Sequence, residues 1–324
     1  MIAGKFISNE QSLDFSDLFS HQYVLSRSSE KLNIPEWLSE VSAQGWTLQH
    51  CPRLPCGKIL DSAGGFVGYL LGVAVGPDNE ISGATCLNLG KSIDDPAFWE
   101  ATEREVSGLA GKYIAVFLTE TKRRVYFDPV MDLPAVYNQN IQIVASSPLL
   151  ALKRQVRSNP KADFHVIISD GGNFGMQQTC DPDVLRGISN HYLNLDDFTL
   201  HRHWPSDDDS FEDTSIDVRN TAEFIVERLG KIIHTLVENY DCAMPVSGGN
   251  DSRTMIYSAR DIMSDVKYFY THRINWITRI DCYLAKKITD DLGLELEVHD
   301  ATDAITRGLV SAGELDKLRS NFFY

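Results

Sequence analysis

The chain has 324 residues, enough for two domains with separate cores. Its 30 Lys and Arg against 45 Asp and Glu leave a formal charge of −15. That balance sets nucleic acid aside as a partner, because such binding relies on neutralising phosphates with basic side chains.

At the amino end, Met1-Ile2-Ala3-Gly4-Lys5-Phe6 has no apolar h-region, so no signal peptide is indicated. The cysteines at 51, 56, 86, 180, 242 and 282 are scattered through a chain too large to need disulfide staples. His50, Cys51 and Cys56 invite a zinc reading, but no second pair at ligand spacing completes four ligands. The apolar stretch from Gly64 to Gly76 is too short to span a bilayer and glycine-rich, and reads as a buried strand and turn. The expectation is a reduced, cytoplasmic protein with no membrane partner.

Further on, His201 and His203 would share a face of a strand, where they could bind metal or, beside Trp204 and Pro205, end a surface strand. Pro205 to Asp213 is an acidic, serine-containing run with almost no apolar content, as expected of a solvated linker. It lacks the glycine and spacing of an EF-hand. The expected division is residues 1–205, a linker 206–215 and residues 216–324. After the linker, Ala222, Ile225, Leu229, Ile232, Ile233 and Leu236 mark one face of a long helix.

Cys242 to Val246 reads as a buried strand, with Pro245 near its end where a missing N–H costs least. There follows Ser247-Gly248-Gly249-Asn250-Asp251-Ser252-Arg253, then a helix from Thr254. Gly248 and Gly249 let the backbone turn tightly and approach a ligand, while N–H groups of the turn and of the new helix point outward as an anion cradle. Ser247 and Ser252 add hydroxyl donors, and Asp251 can hold the Mg²⁺ that accompanies a triphosphate. The loop lacks the G-K-[ST] ending of a P-loop, which argues against a kinase or GTPase. Arg253 could touch phosphate or lie solvated in the first turn. Asp265 to Thr271 reads as a second parallel strand. Ile280, Leu284, Ile288 and Leu292 have helical spacing closed by Gly293, and Leu294 to His299 alternates like a third strand. The sum is a βαβαβ unit whose ligand side is the carboxyl end of its strands.

The loop resembles the pyrophosphate-binding motif of the N-type ATP pyrophosphatases. With Asp281 to Asp300 (DCYLAKKITDDLGLELEVHD) it resembles the synthetase domain of asparagine synthetase and its relatives. Gly111 to Leu118, Val125 to Tyr137 and Ile143 to Ser147 are similar to segments of the glutaminase-like domain of those enzymes, and Leu185 to Trp204 (LRGISNHYLNLDDFTLHRHW) resembles the segment that leads into the synthetase domain, so the resemblance spans about residues 105 to 300. It implies an α/β protein. An amino-terminal α+β, glutaminase-like β-sandwich domain of the N-terminal-nucleophile (Ntn) type would be followed by a Rossmann-like parallel-sheet ATP-pyrophosphatase domain. ATP would be held by Val246, Ser247, Gly248, Gly249, Asn250, Asp251, Ser252 and Thr271, with Mg²⁺ on Asp251. Asp281 would act through a water or as a helix N-cap. The implied activity is AMP-forming: a small-molecule carboxylate is adenylated and then captured by an amine or ammonia. No catalytic residue is assigned.

The departures limit what carries over. Glutamine-using members attack with an amino-terminal cysteine whose own α-amine is the base, whereas Ile2 follows Met1 here. Phe127 and Met131 replace the Arg and Gly of the family's R-D-x-x-G turn. No glutamine hydrolysis is expected, and the chain is more similar to the β-lactam synthetase branch. Fewer residues follow Ser252 than in the family, so the second domain is expected to be incomplete at its carboxyl end, with a partner chain supplying the rest. The alternative is a non-catalytic nucleotide-binding subunit or scaffold. No C-x-x-C pair supports the sulfur-transferring tRNA enzymes that share the loop.

Overall fold

The structure, a computed structural model, describes residues 3–5, 15–30, 32–34, 36–41, 44–78, 80–82, 86–161, 174–205, 217–274 and 278–300. The expected acidic linker 206–215 and the aromatic end Phe322 to Tyr324 lie outside them. The fold is mixed α/β with several sheets. The chain divides into two compact units, Met1–Asp209 and Ser210–Phe323. Among the described residues, no helix is long and apolar enough to cross a membrane.

In the first unit, a six-stranded antiparallel sheet runs in the order β12 (Leu185–Arg186), β10 (Val136–Asn138), β11 (Ile143–Ala145), β1 (Tyr23–Arg27), β3 (Trp46–His50) and β2 (Leu38–Val41). The second sheet runs β14 (Thr199–Arg202), β13 (His191–Asn194), β9 (Arg123–Phe127), β8 (Ala110–Leu118), β5 (Phe66–Val75), β4 (Cys56–Leu60) and β7 (Leu87–Asn88), with β6 (Ile81–Ser82) paired to β5. It is mixed, since β4 and β7 are parallel. Alternation along β8 builds two cores from one strand. Ile114, Val116 and Leu118 join Tyr23, Leu25 and Trp46 in one cluster, while Tyr113, Ala115 and Phe117 join Phe98 and Val106 in another. The last two belong to α1 (Phe98–Gly108), which buries Phe98, Thr102 and Val106 at i, i+4 and i+8. The stretch expected to be a buried strand and turn is β5. Its Gly72 has φ 85°, and a Cβ there would lie 2.1 Å from the Lys112 carbonyl oxygen.

The turn after β9 is closed by one buried carboxylate. Asp128 accepts the N–H groups of Val130 (3.1 Å), Asp132 (2.9 Å) and Leu133 (2.9 Å). Met131 has φ 58° in this turn. A left-handed residue there explains why glycine suits the turn that the sequence resembles.

In the second unit, β15 (Ala243–Pro245), β16 (Tyr268–Arg273) and β17 (Leu296–Asp300) form a parallel sheet in that order. The crossovers carry α3 (Asn250–Ser258), a 3₁₀ turn Arg260–Asp265, and α4 (Thr278–Asp291), so the βαβαβ order read from the sequence is observed. Helix α3 begins at Asn250 rather than Thr254. Asn, Asp and Ser read as loop formers but here fill a first turn, where Asp suits the helix dipole. Strand β16 begins at Tyr268 rather than Asp265, because the preceding 3₁₀ turn buries Ile262 and Met263. Helix α4 ends in a Schellman motif: Gly293 (φ 68°) donates to the Asp290 carbonyl at 3.1 Å and Leu294 to that of Thr289 at 2.9 Å.

The long helix α2 (Val218–Asn239) is capped by Asp217, which accepts from Arg219 and Asn220. Its packed face differs from the expected one. Ala222 and Ile225 are exposed, and the contact lies in the second half, at Leu229, Gly230, Ile233 and Val237. Gly230 explains the shift, since a Cβ on it would lie 2.4 Å from the Ser258 carbonyl oxygen. The backbones of α2 and α3 meet there, and the amino-terminal turns of α2 are left clear of the cluster formed by Ile233, Met244, Val246, Ile256 and Phe269.

Candidate functional site

The loop at the carboxyl end of β15 is anchored at one side and braced across its mouth. Val246 is 2% exposed, and its N–H donates to the Tyr270 carbonyl at 2.8 Å, so its side chain is part of the core. The hydroxyls of Ser247 and Ser252 are 2.8 Å apart. Ser252 Oγ also accepts the Ser247 N–H at 3.2 Å, and Ser247 Oγ accepts that of Gly249 at 3.2 Å. Gly249 is the N-cap of α3 and supplies no side-chain cap. Among the described residues the N–H groups of Asn250, Asp251 and Ser252 have no acceptor, as at any uncapped helix start. They are donors at a positive dipole end, which is the chemistry an anion needs.

Helix α4 forms the other wall. Asp281 lies in its first turn rather than at the N-cap position, and its Oδ1 accepts the Gly248 N–H at 3.3 Å. A Cβ on Gly248 would lie 2.6 Å from Leu284 Cδ1. Gly248 therefore lets α4 approach closely, a contact invisible in the sequence. Arg253 folds back onto the loop, donating to the Gly249 carbonyl at 3.3 Å and to the Asn250 side chain. Thr271 is buried within β16, one residue beyond the Tyr270 carbonyl that anchors Val246. The strand continues past it to Arg273.

Asp251 is exposed and its carboxylate has no partner among the described residues. With Asp281 it gives the loop two carboxylates. Mg²⁺ is commonly held by one or two carboxylates together with substrate phosphates rather than by an all-protein cage, so the donor set fits a metal that arrives with its phosphates. Among the described residues there is no group of three or more His, Cys, Asp or Glu able to hold a metal by itself.

The other sequence candidates are separately engaged. His50 Nδ1 contacts the Cys51 carbonyl at 3.1 Å, and burial, then Glu40, pushes the Cys56 thiol up to about 12. His201 stacks on Tyr192 and contacts Thr199 Oγ1 at 2.8 Å, while His203 contacts Ser107. A depression of about 780 Å³ in the second unit lies beside Tyr240, Asp241 and Lys267 at the amino ends of β15 and β16. That is the end opposite the loop. Neither a protein-family model nor a curated protein sequence matches the chain.

Proposed function

We propose that the chain is an asparagine-synthetase-like ligase that adenylates a carboxylate with ATP, releases pyrophosphate, and passes the acyl group to an amine or ammonia. The observation that carries this reading is the set of three acceptor-free N–H groups at the start of α3, placed at the carboxyl end of a parallel βαβαβ sheet. In this reading the second unit is a Rossmann-like ATP-pyrophosphatase domain. The first is an Ntn-type scaffold without glutaminase activity, in keeping with two facing sheets and with thiols at Cys51 and Cys56 that are buried or pushed far from ionisation.

The substrate carboxylate oxygen attacks the α-phosphorus, the bond from that phosphorus to the bridging oxygen breaks, and pyrophosphate leaves. An amine then attacks the acyl carbon, AMP departs, and the amine loses a proton. Ser247, Ser252 and the N–H groups of residues 250 to 252 hold the departing pyrophosphate, where preorganised donors count most. Val246 and Thr271, both buried, support the strand ends beneath the adenosine rather than contact it. Asp251 would hold Mg²⁺, which when bound would supply neutralising charge to the phosphates.

A second reading, in which a partner chain completes the site, is favoured by the exposed apolar side chains Phe224, Ile225, Ile280 and Tyr283 of the second unit. The test is to incubate the protein with Mg-ATP and a panel of carboxylates and amines. Carboxylate-dependent release of AMP and pyrophosphate, lost in a folded Asp251→Ala variant, supports the ligase. ADP and phosphate as products would reject it, and ATP binding without turnover would favour the completed-by-partner reading.

A further inference from the structure

Outside the loop, the first unit holds a cavity of about 300 Å³ where the end of α1, the turn after β9 and the chain beyond β14 meet. Tyr113, Phe127 and Trp204 give its lining an aromatic character, and Ser107, Asn190 and His203 supply its polar groups. Among the described residues, no acidic, lysine or arginine side chain lines it. Phe127, standing where the resembled turn has Arg, contributes to that neutrality. Burial, reinforced by the nearby His191, pushes the His203 imidazole down to about 4, so the ring is neutral at physiological pH.

The polar groups are held but not saturated. His203 Nδ1 lies 3.3 Å from Ser107 Oγ, and the ring packs edge-on against Tyr126. Its Nε2 is buried without a hydrogen-bond partner among the described residues. The Asn190 carbonyl accepts the N–H groups of His203 (2.9 Å) and Trp204 (3.4 Å), which fixes its left-handed backbone (φ 63°). The Asn190 side-chain amide has no partner among the described residues. Trp204 is 44% exposed, so the cavity opens to solvent at that residue.

We propose that this cavity binds a small, uncharged, planar molecule carrying both a hydrogen-bond donor and an acceptor, such as a nitrogen heterocycle or an aromatic amide. Its volume sits at the small end of ligand pockets, and its mix of apolar surface with a few convergent polar groups is that of a binding site. A charged ligand would lose its hydration without an opposite charge to meet it. A planar amide can stack on the aromatic residues while exchanging hydrogen bonds with Asn190 and Ser107. The site does not depend on the nucleotide reading of the second unit.

The test follows the His203 and Trp204 ring resonances of the full chain by NMR during titration with nicotinamide, with indole, and with nicotinate as the charged counterpart. Saturable shifts with a neutral probe are expected, with at least tenfold weaker binding of nicotinate. Ser107→Trp, which fills the cavity from an exposed helix end, should weaken the neutral probe at least tenfold, and His203→Phe should do so independently. No saturable shift with either neutral probe, equal binding of nicotinate, or binding unchanged in a folded Ser107→Trp protein would overturn the proposal.

Discussion

Asp281 Oδ1 lies 3.3 Å from the backbone nitrogen of Gly248, so the first turn of α4 sets a negative charge against the loop proposed to hold pyrophosphate. Two unit charges about 4 Å apart interact by roughly 1 kcal/mol in a water-like medium, about fivefold in affinity. Asp281→Asn is expected to bind metal-free pyrophosphate about fivefold more tightly and to depend less on Mg²⁺. Calorimetric titrations in chelator and in Mg²⁺ measure both, and an unchanged Mg²⁺ dependence would remove Asp281 from the site.

The Leu284 contact makes Gly248 a packing residue as well as a loop residue. Gly248→Ala brings its new methyl to within 2.6 Å of Leu284 Cδ1, and because Leu284 is 38% exposed its side chain can turn aside, so the expected cost is at the low end of overpacking, about 1 kcal/mol. The double variant with Leu284→Ala is expected to be more stable than the sum of the two single losses. Denaturant unfolding of the four proteins reads this coupling, and additive losses would show that the two residues do not meet.

Asp128 holds its turn through three backbone N–H groups in a fully buried position. Asp128→Ala leaves those donors unsatisfied and is expected to cost about 3 kcal/mol in the first unit. A loss below about 1 kcal/mol would show that the turn closes without the carboxylate.

His203 gives the first unit a pH-dependent stability. Its folded-state pKa is depressed from 6.5 to about 4, so the unfolded chain takes up the proton first as pH falls. The stabilisation is present above about pH 6.5 and is lost as pH drops toward 4. His203→Asn should flatten that part of the stability profile relative to wild type. Parallel profiles between pH 6.5 and 4 would mean that the ring titrates normally in the folded protein.

What the sequence made legible was local. Glycine at 293, the serines flanking the loop and the alternation from Leu294 all act through their immediate neighbours, and the βαβαβ order followed from them. The packed face of α2 was not legible, since apolar spacing at Ala222 and Ile225 says nothing about where a second backbone approaches, and Gly230 decides that. The contact of Asp281 is not legible either, because its partner, the Gly248 N–H, lies on another element. Met131 shows the opposite case: a residue that departs from a glycine pattern still adopts the left-handed conformation the turn requires.

In the ligase reading, the loop from Ser247 to Ser252 holds Mg-ATP through its backbone and Asp251. The most direct measurement is a calorimetric titration of Mg-ATP into the wild-type chain and into Asp251→Ala, with circular dichroism establishing that both are folded. The account predicts saturable binding in the wild type and at least a tenfold loss in the variant. No binding by the folded wild type, or equal binding by both proteins, would contradict it.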